Sequence, residues 1–129
     1  MINFNVLLIE DDAWLSDLYA DVLTQHNVIR ANNADEALDL IDSKKIDLIV
    51  LDMFLPDHNG VEFLHEIASY EDSVDIPVII LSAVARHDFG MSDERMKHYG
   101  IVEYLYKPEI KPKIVAERVK LHLTEFVGA

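Results

Sequence analysis

The chain has 129 residues, of which 50% are hydrophobic, and this suits one domain of ordinary size with its own core. Its formal net charge of −13 at pH 7 repels phosphate backbones, so we expect no direct contact with nucleic acid. The absence of cysteine excludes disulfides, zinc–thiolate sites and cysteine nucleophiles, and it suits a cytoplasmic protein. The first apolar run stops at an acidic triplet, too short for a membrane span or a signal peptide, so no membrane partner is expected.

Short apolar runs alternate with amphipathic stretches, a pattern typical of βα units around a parallel sheet. Strands are predicted at residues 5–9, 27–31, 47–51, 77–81 and 101–105. Helices are predicted at residues 13–25, 34–43, 60–70, 88–99 and 110–126. Right-handed crossovers between these units predict an α/β fold, with a doubly wound five-stranded parallel sheet covered by helices on both faces. Residues 1–129 are therefore predicted to form a single domain.

Polar residues follow four of the predicted strands, at the edge where sheets of this kind bind ligands. They are Glu10, Asp11 and Asp12 after the first strand, Asp52 after the third, Ser82 (followed by Ala83) after the fourth, and Lys107 (followed by Pro108) after the fifth. Carboxylates gathered this closely repel one another and raise each other's pKa. A hard divalent cation removes that repulsion, and Mg²⁺ prefers oxygen ligands of this type. The sequence thus predicts a site for Mg²⁺ or Mn²⁺ at this edge.

Asp52 is the candidate nucleophile of this site, because it directly follows a wholly apolar strand. A carboxylate can attack phosphorus to form an aspartyl phosphate. The cation and the ammonium group of Lys107 would neutralise charge on the equatorial oxygens in the transition state. The Ser82 hydroxyl is placed to donate a hydrogen bond to the transferred group. The predicted chemistry is therefore acceptance of a phosphoryl group.

Four stretches, taken in order, resemble the receiver domain of response regulators in two-component signal transduction. They are residues 6–12 (VLLIEDD), 47–56 (DLIVLDMFLP, running on to Gly60), 77–83 (PVIILSA) and 104–108 (YLYKP). The resemblance covers nearly the whole chain. It implies a flavodoxin-like (βα)5 sandwich with strand order 2-1-3-4-5, and we expect no output domain within these residues.

The resemblance also implies roles for individual residues. Asp52 is implied as the phosphoacceptor, and the cation is held by Glu10, Asp11, Asp52 and the main-chain carbonyl of Phe54. Ser82 and Lys107 are implied to bind the phosphoryl group, and Tyr104 to turn inward when Ser82 moves. A cis peptide bond is implied between Lys107 and Pro108.

The implied partners are a sensor histidine kinase or a histidine phosphotransfer protein as phosphodonor. Downstream, the resemblance implies a protein target or a phosphorylation-dependent homodimer, contacted through the fourth helix, fifth strand and fifth helix. We expect the chain to catalyse only its own phosphorylation and dephosphorylation, so it is not predicted to be an enzyme acting on other substrates.

Three other classes of protein share parts of this pattern. A phosphatase of the haloacid-dehalogenase type needs a second acid where Phe54 stands, two residues after the nucleophile. A nucleotide-binding domain needs a glycine-rich turn after the first strand, where the chain has Glu10, Asp11 and Asp12. A receiver-like interaction module that takes no phosphate stays open, because only an assay of phosphorylation separates it from the main prediction.

Several other features lead to narrower expectations. Asp12 is expected to cap the first helix, and Trp14 belongs either to half-buried core or to a docking surface for the phosphodonor. Four basic residues cluster near the end of the chain: Lys111, Lys113, Arg118 and Lys120. They form either a solvated helix face or an interaction surface for an acidic partner or a second copy. His58 and His87 are expected to be solvated loop residues.

The segment from Ser82 to Lys107 is a few residues longer than the family pattern, with the extra length around residues 86–92. The fourth helix is therefore the element whose shape the resemblance specifies least. Two positions that flank the site, Phe54 and Val84, are apolar. Apolar neighbours exclude hydrolytic water, which leads to the hypothesis that self-dephosphorylation is slow.

Overall fold

The computed structural model describes residues 4–55 and 59–126. Within these residues the chain forms one sheet of five parallel strands in the order β2-β1-β3-β4-β5, which confirms the predicted topology. The strands are β1 (Asn5–Ile9), β2 (Asn27–Ala31), β3 (Leu48–Asp52), β4 (Val78–Ser82) and β5 (Ile101–Tyr106). Their bounds differ from the predicted ones by at most one residue at either end.

Helices connect the strands and cover both faces of the sheet. They are α1 (Ala13–Val22), α2 (Ala34–Ser43), α3 (Gly60–Ala68), α4 (Arg86–Phe89), α5 (Asp93–His98) and α6 (Pro112–Phe126). The predictions for α1, α3 and α6 were two or three residues too long at one end. None of the helices in the described ranges is long and apolar enough to cross a membrane.

The single helix predicted at residues 88–99 is wrong, because two short helices occupy this region. Gly90 ends α4 with φ of 80°, in the left-handed region that a glycine adopts without strain. Ser92 then begins α5 by accepting a hydrogen bond from the Arg95 N–H at 3.2 Å. The chain therefore turns between α4 and α5 within the segment that the sequence marked as unusually long.

The core consists of two layers, one on each face of the sheet. Alternate residues of β1 point to opposite faces, so Leu7 and Ile9 pack under α2 and α3, while Val6 and Leu8 pack under α1 and α6. Every residue of β3 and β4 is buried. Burial on both faces explains the continuous apolar runs of these strands and gives the residues at their carboxyl ends a rigid support.

Gly60 sets how closely the start of α3 approaches the end of β3. Its N–H donates to the Met53 carbonyl at 2.7 Å, and a Cβ at this position would lie 2.6 Å from Met53 Sδ and 2.8 Å from Met53 Cα. Because part of this clash is with backbone, we expect Gly60→Ala to lower the free energy of unfolding by about 1–3 kcal/mol, as overpacking does. Urea unfolding measures this change, and a double-mutant cycle with Met53→Ala identifies its source. An unchanged unfolding midpoint in the single variant would contradict the clash.

Candidate functional site

Three carboxylates lie together at the carboxyl edge of the sheet. Asp52 ends β3 and Glu10 directly follows β1, and both side chains are buried, whereas Asp11 is exposed. One oxygen from each carboxylate lies within 4.8 Å of the other two. Residues 4–55 and 59–126 contain no other group of three or more acidic or histidine side chains this close together. Hard oxygen donors at this separation fit Mg²⁺ or Mn²⁺, so these three predicted ligands are brought together.

Lys107 balances part of this negative charge. Its Nζ donates to Glu10 Oε1 at 2.6 Å and lies 3.5 Å from Asp52 Oδ2, with only 15% of the side chain exposed. Burial raises the pKa of Glu10 from 4.5 to about 7, with Asp52 adding to the effect and Lys107 opposing it. For Lys107, burial lowers the pKa, but the hydrogen bond to Glu10 and the charge of Asp52 outweigh it, so the pKa lies above its ordinary value.

Backbone donors orient the acids of this site. The Asp12 side chain accepts from the Leu15 N–H at 3.0 Å, which confirms its predicted role as the cap of α1. The Asp12 N–H donates in turn to Glu10 Oε2 at 3.3 Å. Two residues after β3, the Phe54 N–H donates to Asp52 Oδ1 at 3.1 Å, and Phe54 pairs with Asn59 in an isolated bridge. That the Phe54 carbonyl binds a cation stays a prediction.

A chain of hydrogen bonds joins the end of β4 to β5. Ser82 is fully buried, and its Oγ accepts from the Val84 N–H at 3.0 Å. The Tyr104 hydroxyl donates to the Val84 carbonyl at 2.7 Å, and its ring lies 5.9 Å from that of Phe89. Burial raises the pKa of Tyr104, an effect that Ser82 opposes. Ser82 and Tyr104 are therefore linked through Val84, while the neighbouring Ala83 is exposed.

The cis peptide bond implied between Lys107 and Pro108 is not found, since the described residues contain no cis peptide bond. Instead, Lys107–Glu109 forms one turn of 3₁₀-helix, closed by the Ile110 N–H donating to the Lys107 carbonyl at 3.3 Å. Proline suits the first turn of a helix, because its fixed φ is helical and its missing N–H has no partner there. Pro108 thus occupies a helical first turn rather than a cis bend.

The structure decides between interpretations for several residues outside the pocket. Trp14 is 71% exposed, so its interpretation as half-buried core is wrong and a docking role stays a prediction. His87 is exposed, as expected, but it lies in α4 rather than in a loop. His58, and Pro56 of the second matching stretch, lie outside the described residues. Ala83 and Pro108, which directly follow Ser82 and Lys107, have no polar side-chain atom that could bind the carboxylates.

Sequence reasoning missed a charged cluster between β5 and α6. Glu103 Oε1 accepts hydrogen bonds from Arg118 Nε at 2.8 Å and lies 2.9 Å from Nε2 of the buried His122. Arg118 is therefore engaged within the domain, whereas the side chains of Lys111, Lys113 and Lys120 are exposed. The i, i+4 spacing of Arg118 and His122 opposite an acid in the last strand was the available signal.

Fold and site together define an α/β domain with an acidic, lysine-bridged pocket at the carboxyl edge of its sheet. The model of the response regulator receiver domain family matches residues 6–119. The chain belongs to this family. The carboxylate cluster and the position of Lys107 agree with the residues on which the resemblance depended.

Individual relatives and structures agree with this assignment. MalR, a transcriptional regulatory protein of Bacillus subtilis, is 36% identical over 81% of this chain and 44% of its own length. DivK, a polar-differentiation response regulator of Brucella anthropi, is 31% identical over 92% of this chain and 95% of its own. The chain spans about half the length of several of the curated relatives that it matches.

Solved structures show the same architecture. The signal receiver domain of a Luxo repressor protein from Vibrio parahaemolyticus aligns with a TM-score of 0.80 and 29% identity, over 96% of this chain and 92% of its own. A receiver domain from Methanospirillum hungatei aligns with a TM-score of 0.81 and 24% identity, over 98% of both chains, and shows the fold.

Proposed function

We propose that this receiver domain accepts a phosphoryl group on Asp52 from the phosphohistidine of a sensor histidine kinase or a phosphotransfer protein in the cytoplasm. The observation that carries the proposal is the grouping of Asp52 with Glu10, Asp11 and Lys107 at the edge of the sheet. An Asp52 oxygen forms the new bond to phosphorus as the phosphorus–nitrogen bond breaks, and the histidine nitrogen takes up a proton. Only its own phosphorylation and dephosphorylation would be catalysed.

Glu10, Asp11 and Asp52 are the residues that would hold the divalent cation. When bound, it supplies positive charge against the phosphoryl oxygens. Lys107 lies within 3.5 Å of Asp52 and is positioned to contact an oxygen of the group transferred there. The Asp52 side chain already accepts the Phe54 N–H through Oδ1, which orients the carboxylate with Oδ2 on the side of Lys107.

The switch would run through the hydrogen bonds that join Ser82, Val84 and Tyr104. If the Ser82 hydroxyl turns to the phosphoryl group, the Val84 N–H loses its acceptor. The carbonyl of Val84 accepts the hydrogen bond from the Tyr104 hydroxyl, so a movement of Val84 would reach Tyr104. Contacts of Ser82 and Lys107 to the phosphoryl group are worth about 1.5–3 kcal/mol each. Inverting a 1:99 equilibrium takes about 5.5 kcal/mol, so a partial to nearly complete shift follows. The affected face comprises α4, α5, β5 and α6, which would contact a protein target or a second copy.

Intact mass after incubation with acetyl phosphate tests the proposed function. We expect one added phosphoryl group in the presence of Mg²⁺, and none without Mg²⁺ or in the Asp52→Ala variant. Asp21→Ala is the matched control, because it removes an exposed acid of α1 outside the carboxylate cluster and should leave the adduct in place. If the wild-type protein takes no phosphoryl group and does not bind Mg²⁺, the domain is instead an interaction module independent of phosphate.

The apolar residues near Asp52 lead to a prediction about the lifetime of the phosphate. Phe54 is exposed and follows Asp52 by two residues, and Val84 is half-buried and follows Ser82 by two. We therefore expect their hydrocarbon to hinder the approach of a hydrolytic water. We expect Phe54→Asn and Val84→Glu each to shorten the lifetime about tenfold, less than the roughly 100-fold of a well-placed general base. Decay of the mass adduct after removal of acetyl phosphate measures it, with Phe54→Leu as the apolar control. The hypothesis is wrong if both polar variants decay at the wild-type rate.

A further inference from the structure

A groove of about 450 Å³ lies between α2 and α3 and the turn that follows α3. Both helices begin at the carboxyl edge of the sheet and run back toward its amino edge, so the groove lies at the opposite end of the domain from Asp52. Its apolar lining comes from Leu38, Ile41 and Ile67, which belong to the core under these helices or pack against it. The groove therefore offers apolar contact area away from the phosphorylation site.

The rim of this groove is acidic. It carries five exposed acids, which are Asp39, Asp42, Glu66, Glu71 and Asp72. The described lining residues include no basic one. The carbonyl ends of α2 and α3 point here and add partial negative charge. Asp42 lies in the last turn of α2, which contains no basic residue, so its position is electrostatically unfavourable for the free protein. A cationic occupant would relieve this repulsion.

An exposed aromatic side chain, that of Tyr70, also lines the groove. Tyr70 is 55% exposed, and its hydroxyl donates to Glu66 Oε1 at 2.8 Å, which fixes the ring beside the acids. A fixed tyrosine beside apolar surface is typical of the centre of a protein interface. The described residues of the rim are not among the carboxylate groups close enough to share a metal ion.

We propose that this groove, lined by residues 38–42 and 66–73, docks a cationic amphipathic segment of a partner protein. The apolar side chains of the segment would pack on Leu38, Ile41 and Tyr70, and its lysines or arginines would face the rim. The net charge of −13 attracts such a segment at long range and works against a second copy of this chain. Because the groove and Asp52 lie at opposite ends of the domain, the segment and the phosphodonor can bind together.

The probe is a synthetic helical peptide of lysine and leucine, with the leucines on one face, titrated into the isotope-labelled full chain. We expect amide chemical-shift changes concentrated in residues 38–42 and 66–73, and a dissociation constant that rises with salt. Tyr70→Ala and the double variant Asp42→Asn/Asp72→Asn should each weaken binding about tenfold, as loss of an anchor or a charge pair does in an interface. Asp42→Asn should also unfold at the same or a higher temperature, which separates lost binding from lost folding.

The matched control is Asp21→Asn/Glu117→Gln, which removes the same charge from exposed positions on α1 and α6. We expect this control to bind the peptide within about twofold of wild type, since distant charges are screened. Equal weakening by both double variants, or shifts spread over the whole acidic surface, would reduce the effect to net charge and overturn the proposal. A peptide of lysine alone should bind more weakly than the amphipathic peptide. Equal dissociation constants would also overturn the proposal, because the apolar lining would then contribute nothing.

Discussion

The affinity of the protein for Mg²⁺ is expected to fall about tenfold for each pH unit below 7, because binding must then displace a proton from Glu10. Burial raises the pKa of this carboxyl to about 7, which is above its ordinary value of 4.5. A raised pKa in the folded state means that the metal-free protein loses stability as pH rises from about 4.5 through about 7. Isothermal titration with MgCl₂ at pH 6, 7 and 8, at constant ionic strength, measures the affinity.

Two variants separate Glu10 from the other acids of the site. Glu10→Gln should bind Mg²⁺ weakly at every pH and lose most of the pH dependence. Asp11→Asn should also weaken binding but keep the slope, because the proton that competes with the metal is still on Glu10. A wild-type affinity that is flat between pH 6 and 8 would show that Glu10 is already ionised throughout this range.

Removal of Lys107 is expected to have the second large effect: Lys107→Ala should still be phosphorylated on Asp52 but should lose at least half of the resulting conformational change. The Lys107 ammonium lies near both carboxylates. It can therefore exchange its ion pair with Glu10 for one with an oxygen of a phosphoryl group on Asp52. Its loss also leaves two buried carboxylates without their counter-charge, which should lower the free energy of unfolding by about 3 kcal/mol. Mg²⁺ should restore part of that stability by binding the same acids.

The measurement combines mass with amide chemical shifts. In the wild type, phosphorylation should shift the amides of Val84 and Tyr104, because the Val84 N–H donates to Ser82 Oγ and the Tyr104 hydroxyl donates to the Val84 carbonyl. In Lys107→Ala the mass adduct should appear with less than about half of those shifts, given that one of two comparable contacts is lost. Lys111→Ala, an exposed lysine one turn along the chain, is the matched control and should behave as wild type. A Lys107→Ala protein with full shifts would refute the coupling.

Most of the fold followed from periodicity. The apolar runs of β1, β3 and β4 needed no tertiary information, because burial on both faces leaves only such residues in those strands. The break between α4 and α5 was not predicted. It depends on Gly90 adopting a left-handed conformation, and an isolated glycine in a helical pattern does not reveal its φ.

The sequence predicted which of these residues lie close together, but not which of them pair with each other. Strand order brings Glu10, Asp52 and Lys107 to one edge, so their proximity followed from topology. That Lys107 pairs more closely with Glu10 than with Asp52 was not predictable, because the choice depends on distances of less than an ångström. The Glu103–Arg118–His122 cluster and the acidic groove depend on how helices pack against strands and against each other, which a single sequence does not specify.

The exposed indole of Trp14 is an intrinsic fluorescent reporter. Trp14 is the single tryptophan of the chain and stands in the first turn of α1, two residues after Asp12 and three after Asp11. When tryptophan is excited selectively, the emission therefore comes from one position, close along the chain to Asp11. If a cation, a phosphoryl group or a phosphodonor binds close to this residue, stopped-flow fluorescence can time the event on the unlabelled wild-type chain.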